Sequence, residues 1–187
     1  MTYKEVKTLD AGSWFSDEYV GENVPSLKEV LELTQGKIKL NIELKPTDNG
    51  IALAKNTVRL IEKYNMVNDC VITSFSESAL KAVKTYNQEI KVGYILSAAY
   101  GDFYDMKNVD FFSVNAAFLS KRTIDAIHNS GKRVYAWTVN NKESIKNLTN
   151  KGVDGIITDN PVLARETIYS RDTSETIVNM IRYVFNQ

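Results

Sequence analysis

Six short apolar segments alternate with amphipathic stretches along this chain, and that alternation limits its possible folds more than any other feature. The segments are "KIKLNIEL", "CVITSF", "KVGYIL", "DFFSVN", "KRVYAWTVN" and "VDGIITD". After the first, Leu53, Val58, Leu60 and Ile61 recur at helical spacing and predict a helix from about Ile51 to Tyr64. "SESALKAVKTYN" predicts a second helix, with Ser76 as its N-cap. "SKRTIDAIHNSG" predicts another that closes at Gly131, and "NKESIKNLTNKG" and "NPVLARETIYS" continue the series. A leading helix is expected in "SLKEVLELTQG". A last one is expected in "TSETIVNMIRYVFN", with Ile177, Ile181, Val184 and Phe185 on one face. Only the aromatic stretch "SAAYGDFYDMKN" reads as irregular.

Strands that alternate with helices pair in parallel, because each crossover returns the chain to the same end of the sheet. A doubly wound sheet would want a glycine-rich phosphate loop after a strand, and the chain has neither GxGxxG nor a P-loop. A barrel instead gathers functional residues at the strand C-terminal ends. Here those ends carry Glu43 and Lys45, Ser74 and Phe75, Asn115, Trp137 and Asn140, and Asp159. The expected fold is therefore α/β, an incomplete TIM (β/α)8 barrel of about six parallel strands lacking the first two βα elements. A complete barrel typically takes about 250 residues, against 187 here.

Lysine plus arginine equals aspartate plus glutamate, 23 each. With no basic stripe, that balance argues against a nucleic-acid partner. No segment reaches the length of a membrane span, and "MTYKEVKTLD" carries no apolar signal region, so a cytoplasmic location is expected if the chain start is natural. The single cysteine, Cys70, excludes an internal disulfide and reads as a small buried strand residue.

The strand "KLNIELKP" carries the chemistry. Side chains alternate along a strand, so Leu40, Ile42 and Leu44 would face the helices, with Asn41, Glu43 and Lys45 toward the barrel axis. A carboxylate at a strand's C-terminal end suits a hard divalent cation, and a neighbouring ammonium suits a phosphate oxygen. A plain ion pair capping the strand fits the same residues equally well.

Beyond the residues themselves, the chain resembles the glycerophosphodiester phosphodiesterases. "TLDAGSWFSDEYVGENVPSLKEVLEL" looks like the segment that leads into their third barrel strand, and "NIELKP" resembles that strand. "VITSF", "YAWTVN" and "GVDGIITDNP" resemble their fourth, seventh and eighth strands in the same order, so the likeness covers nearly all of residues 8–166. It implies a single domain, in which 1–25 is a remnant of an insertion, 26–170 forms barrel strands and helices, and 171–187 is a C-terminal helix. It also implies metal-dependent hydrolysis of glycerophosphodiesters to glycerol 3-phosphate and an alcohol, a step of lipid metabolism.

By the same resemblance, Glu43 would be a ligand of Mg or Ca and Lys45 a phosphate contact. Trp137 would wall the substrate pocket, Phe75 would lie near the mouth, and Trp14 would line it from the insertion. Aromatic side chains at these positions otherwise serve packing.

The family's His-Arg-Gly strand end, its Glu and Asp on the next strand, and its later His-Asp pair have no counterpart here. The one histidine, His128, ends a helix and is expected at the far end of the barrel, so no catalytic residue is assigned. Only Asp159 and Glu22 remain as further carboxylates near the mouth. One carboxylate is too few to hold a hydrated cation tightly, so the metal is expected to bind weakly or not at all. Little or no activity is expected, and a non-catalytic pseudo-enzyme or assembly module is the alternative. An incomplete barrel would leave two strand edges open, which is a route to homo-oligomers.

Overall fold

The computed structural model describes residues 1–169. Six strands form one sheet: β1 (Leu40–Glu43), β2 (Cys70–Ser74), β3 (Lys91–Leu96), β4 (Phe111–Asn115), β5 (Arg133–Trp137) and β6 (Gly155–Ile156). Each is parallel to its neighbour in sequence, and the spatial order is β1-β2-β3-β4-β5-β6. The sheet curls into part of a barrel with helices around it. Among the described residues β1 and β6 each pair on one side only. The expected helix over 171–187, with Ile177, Ile181, Val184 and Phe185, lies outside the described residues.

The helices are α1 (Tyr3–Val6), α2 (Leu27–Thr34), α3 (Ile51–Lys63), α4 (Glu77–Tyr86), α5 (Lys121–Asn129), α6 (Lys142–Lys151) and α7 over 161–169. Their starts are set by short-range hydrogen bonds that satisfy orphan N–H groups. Ser26 and Glu29 form a reciprocal capping box on α2. The Ser76 hydroxyl accepts from Ala79 N–H at 3.3 Å, and Asn141 accepts from Ser144 N–H at 2.8 Å. α6 stops at Gly152, whose φ of +93° is strained for residues with a β-carbon. No α-helix joins β3 to β4. The irregular aromatic stretch there holds a 3-10 turn (Phe103–Asp105), and the Phe103 ring packs edge-on against Phe112 at 5.1 Å.

Strand parity sorts the sheet into two faces. Ile72, Val92, Phe112, Val114, Val134 and Ala136 face outward and are buried against helix residues such as Val58, Ile61, Leu80, Ile124 and Ile145. Apolar burial on this scale is the main driving force for folding. The inner face holds Phe111 and Tyr135, whose rings lie 4.6 Å apart. They fit because Gly93 and Gly155 lie beneath them: a β-carbon on Gly93 would come within 2.1 Å of the Phe111 ring, and one on Gly155 within 2.9 Å of the Tyr135 ring. β6 is shorter than "VDGIITD" suggests. Past Ile156 only isolated backbone bonds continue, such as Val139 N–H to the Ile157 carbonyl at 2.9 Å.

Asp110 ties the strand N-terminal ends together. It accepts from Val92 N–H at 2.8 Å, from Lys84 at 2.7 Å and from Lys91 at 3.2 Å. Burial pushes its carboxyl up, but Lys84, the Val92 N–H and Lys91 together outweigh burial and hold its pKa below the ordinary carboxylate value. A folded-state pKa below the unfolded one contributes stability above the unfolded value, about 3.9, and that contribution is lost as pH falls through the folded one. Asp110→Ala should therefore lower stability at pH 7 by about 1–3 kcal/mol and flatten the loss of stability below about pH 4. Urea unfolding at pH 7 and pH 3 checks both. An acid limb as steep in the variant as in the native chain would count against this role.

Candidate active site

The end of β1 is fixed before any ligand is considered. Leu44 N–H donates to the Thr73 carbonyl at 2.8 Å, and the Ser74 hydroxyl donates to the Leu44 carbonyl at 2.7 Å. Leu44 is thereby buried outward, which turns Glu43 and Lys45 to the concave face. The Lys45 ammonium lies 3.5 Å from Glu43 Oε2. Below them the Thr73 hydroxyl donates to Asn41 Oδ1 at 3.0 Å.

Asn41, Glu43 and Lys45 line a cavity of about 380 Å³ at the strand C-terminal ends, together with Thr73, Phe75 and Trp137. The Trp137 indole N–H donates to the Ser113 carbonyl at 3.0 Å, which fixes the ring as a wall. Phe75 meets it edge-on at 6.3 Å. Glu43 and Lys45 are the only titratable side chains lining this cavity among the described residues. No local feature of the sequence marks Thr73 as a lining residue. The register Glu43↔Thr73 brings it there, and only cross-strand pairing reveals that.

Other candidates do not line this cavity. Trp14 does not line the cavity: it is 80% exposed, with its indole N–H donating to the Ala11 carbonyl at 2.8 Å. Local hydrogen bonds hold its loop in a separate turn. Asp159 accepts from the Asn140 side chain at 2.7 Å after β6 and is not part of the lining. Glu22 is exposed on the loop that carries Trp14. His128 Nε2 lies 2.9 Å from Asp154 Oδ2, and the same oxygen accepts from Val134 N–H. Both contacts sit at the strand N-terminal ends, opposite Glu43. Cys70 is buried, and burial, with the nearby Asp69 charge, pushes its thiol up to about 11, so it stays protonated at neutral pH.

The donor set suits a hard cation in part. Glu43 offers a carboxylate and Asn41 a carbonyl, both oxygen donors, but no group of three His, Cys, Asp or Glu side chains that could hold a metal occurs among the described residues. No helix among them is long and apolar enough to cross a membrane.

An all-parallel sheet curled toward a barrel, with a cavity at its strand C-terminal ends that holds a carboxylate and an ammonium between aromatic walls, defines a (β/α)-barrel enzyme fold. The profile of the glycerophosphoryl diester phosphodiesterase family matches residues 1–163. A glycerophosphodiester phosphodiesterase of Caldanaerobacter subterraneus subsp. tengcongensis is 30% identical, over 97% of this chain and 71% of its own length. One from Bacillus altitudinis is 28% identical, over 86% of this chain and 69% of its own. A phosphodiesterase of Oleispira antarctica, solved in complex with the product sn-glycerol-3-phosphate, superposes with a TM-score of 0.77 at 28% identity. That match covers 90% of this chain and 70% of the other. The chain belongs to the glycerophosphoryl diester phosphodiesterase family, whose members are phosphoric diester hydrolases.

Proposed function

We propose that the cavity at the end of β1 binds a glycerophosphodiester, with Lys45 on a phosphate oxygen and Glu43 as the carboxylate ligand of a divalent cation, Mg or Ca. The observation that carries this reading is the convergence of Glu43, Lys45, Phe75 and Trp137 on one cavity. When bound, the cation would supply Lewis-acid polarisation of the phosphoryl oxygen. Glu43 and the Asn41 carbonyl are the side-chain oxygens placed to hold it, and substrate oxygens and water would complete a coordination shell that one carboxylate cannot fill. Lys45 contributes a point charge toward the non-bridging oxygens. Trp137 and Phe75 bound the space for the glycerol or alcohol carbons and restrict water there.

Hydrolysis also needs a group that takes a proton from the attacking water and one that gives a proton to the leaving alcohol. Among the described residues the cavity offers Glu43 alone as a carboxylate, and Glu43 is engaged with the cation in this reading. The described residues therefore bind and orient a phosphodiester but turn it over slowly or not at all. The same gap favours the second reading, a module that binds without catalysis. The edges of β1 and β6 that are unpaired among the described residues would carry any association between copies.

Incubating the chain with glycerophosphocholine and Mg or Ca, and measuring glycerol 3-phosphate release, tests the proposal. Binding without release is the expected result. Release at about 1 s⁻¹ or faster would overturn the slow-turnover part, and absence of any cation-dependent binding would overturn the site.

A further inference from the structure

The loop over 8–25 displays its aromatic side chains to solvent while its polar atoms are tied inward. Asp10 accepts the backbone N–H groups of Gly12, Ser13 and Gly21, each at 2.8 Å. Those three bonds hold its pKa at about 2, so it stays ionised. The loop closes further through an antiparallel bridge between Asp10 and Asn23, and Gly12 is required because a β-carbon there would lie 2.0 Å from the Tyr19 carbonyl oxygen. On this frame Trp14, Phe15 and Val20 are 80%, 69% and 63% exposed. Trp14 and Tyr19 each meet Phe15 with ring centroids 5.7 Å apart.

The loop lies at the cavity's end of the barrel. It leads into the N-terminus of α2, and Lys7 bonds both Glu29 and the Val24 carbonyl there. The other end of α2 is bound to the C-terminal end of α3, through Gln35 to the Tyr64 carbonyl at 2.7 Å and Tyr64 to Glu32 at 2.7 Å. α3 follows β1 and ends where β2 begins, so its C-terminus marks the end opposite the cavity.

We propose that this loop docks the mouth of the barrel onto a zwitterionic, choline-headed lipid surface. An exposed aromatic cluster of this kind marks an interaction site, and two observations select a lipid surface as its occupant. The indole N–H of Trp14 is already satisfied by Ala11, so the ring can enter an apolar medium without stranding a donor, and it offers no hydrogen bond to a protein partner. The loop also carries Asp10, Asp17, Glu18 and Glu22 and no lysine or arginine. That charge repels anionic lipid and suits the outward quaternary ammonium of a choline headgroup, which also binds over aromatic faces. The inference uses the phosphodiester reading only to call that end of the barrel its mouth. Vesicle binding needs no turnover and no cation at Glu43, so it stands or fails separately.

The test is co-sedimentation of the full chain with phosphatidylcholine and phosphatidylglycerol vesicles. In a Trp137→Phe background, Trp14 is the only tryptophan, and excitation at about 295 nm selects its emission over that of the tyrosines. Sedimentation with phosphatidylcholine, a blue shift of Trp14 emission and weaker binding to phosphatidylglycerol are expected. Trp14→Ala/Phe15→Ala should reduce partitioning by about tenfold or more. Val20→Asp, at an exposed site, should do the same and serves as a second variant with circular dichroism as the folding control. No binding to phosphatidylcholine overturns the proposal, as does binding unchanged in both variants. A native dimer that Trp14→Ala/Phe15→Ala dissociates also overturns it, because a second copy would then be the occupant.

Discussion

Glu43→Gln is expected to abolish the dependence of sn-glycerol 3-phosphate binding on Mg or Ca, with a loss in affinity of about ten- to a hundredfold, and to leave the thermal midpoint almost unmoved. The two halves of that result separate the two readings of the Glu43–Lys45 pair. As a structural ion pair with Lys45 side-chain exposure of 79%, it would contribute about 0–1 kcal/mol, because water and salt screen exposed charges. As a ligand it contributes little to the folded state and much to the bound one, since a carboxamide keeps the shape of the carboxylate but not its charge. Lys45→Ala should weaken the same ligand without altering which cation supports binding. Isothermal titration calorimetry with and without cation, beside a thermal melt, measures both. An unchanged affinity in Glu43→Gln with a lowered melting midpoint would establish the ion-pair reading instead.

The second large effect is expected far from any ligand. Gly93→Val should destabilise the chain by about 1–3 kcal/mol or more, because the new side chain must occupy space the Phe111 ring already fills. Phe111 is 3% exposed, and the neighbouring Tyr135 ring, 4.6 Å away, limits where it can move. The backbone of Gly93 is not left-handed, so space and not torsion is what excludes a side chain there. The strain should be relieved when the ring is removed: in a Phe111→Ala background Gly93→Val should cost much less, giving a clear coupling energy in a double-mutant cycle. Equal costs in the two backgrounds, from urea midpoints, would show that the ring was not the obstacle.

How far the chain can be read without its structure differs by feature. The capping of α2 by Ser26 and of α4 by Ser76 depends on residues three apart, and such contacts are written locally. The inward set of Glu43 and Lys45 follows from period-two alternation within one strand. The placement of His128 at the end opposite the cavity follows from the direction in which a helix returns along a parallel sheet. Thr73, by contrast, joins the cavity because β2 pairs with β1 in one register. Gly93 and Phe111 oppose each other because β3 pairs with β4 in another. Neither relation leaves a mark on the local sequence.

The two tryptophans show the division most clearly. Each sits in a short motif, "GSWFS" and "YAWTV", and each could wall a pocket or pack against a neighbour. Trp137 reaches the cavity because β5 ends there and the Ser113 carbonyl on β4 holds its indole, while Trp14 is held outward by a carbonyl three residues before it. Alternation and capping are set by residues a few positions apart, so the sequence by itself determined the (β/α) order, the helix starts and the inward carboxylate–ammonium pair. The register and curvature of the sheet bring together residues far apart in the chain, such as Trp137 and Ser113, 24 positions apart. Only the tertiary structure decided which aromatics meet Glu43, which glycines lie under rings, and which aromatic loop faces water.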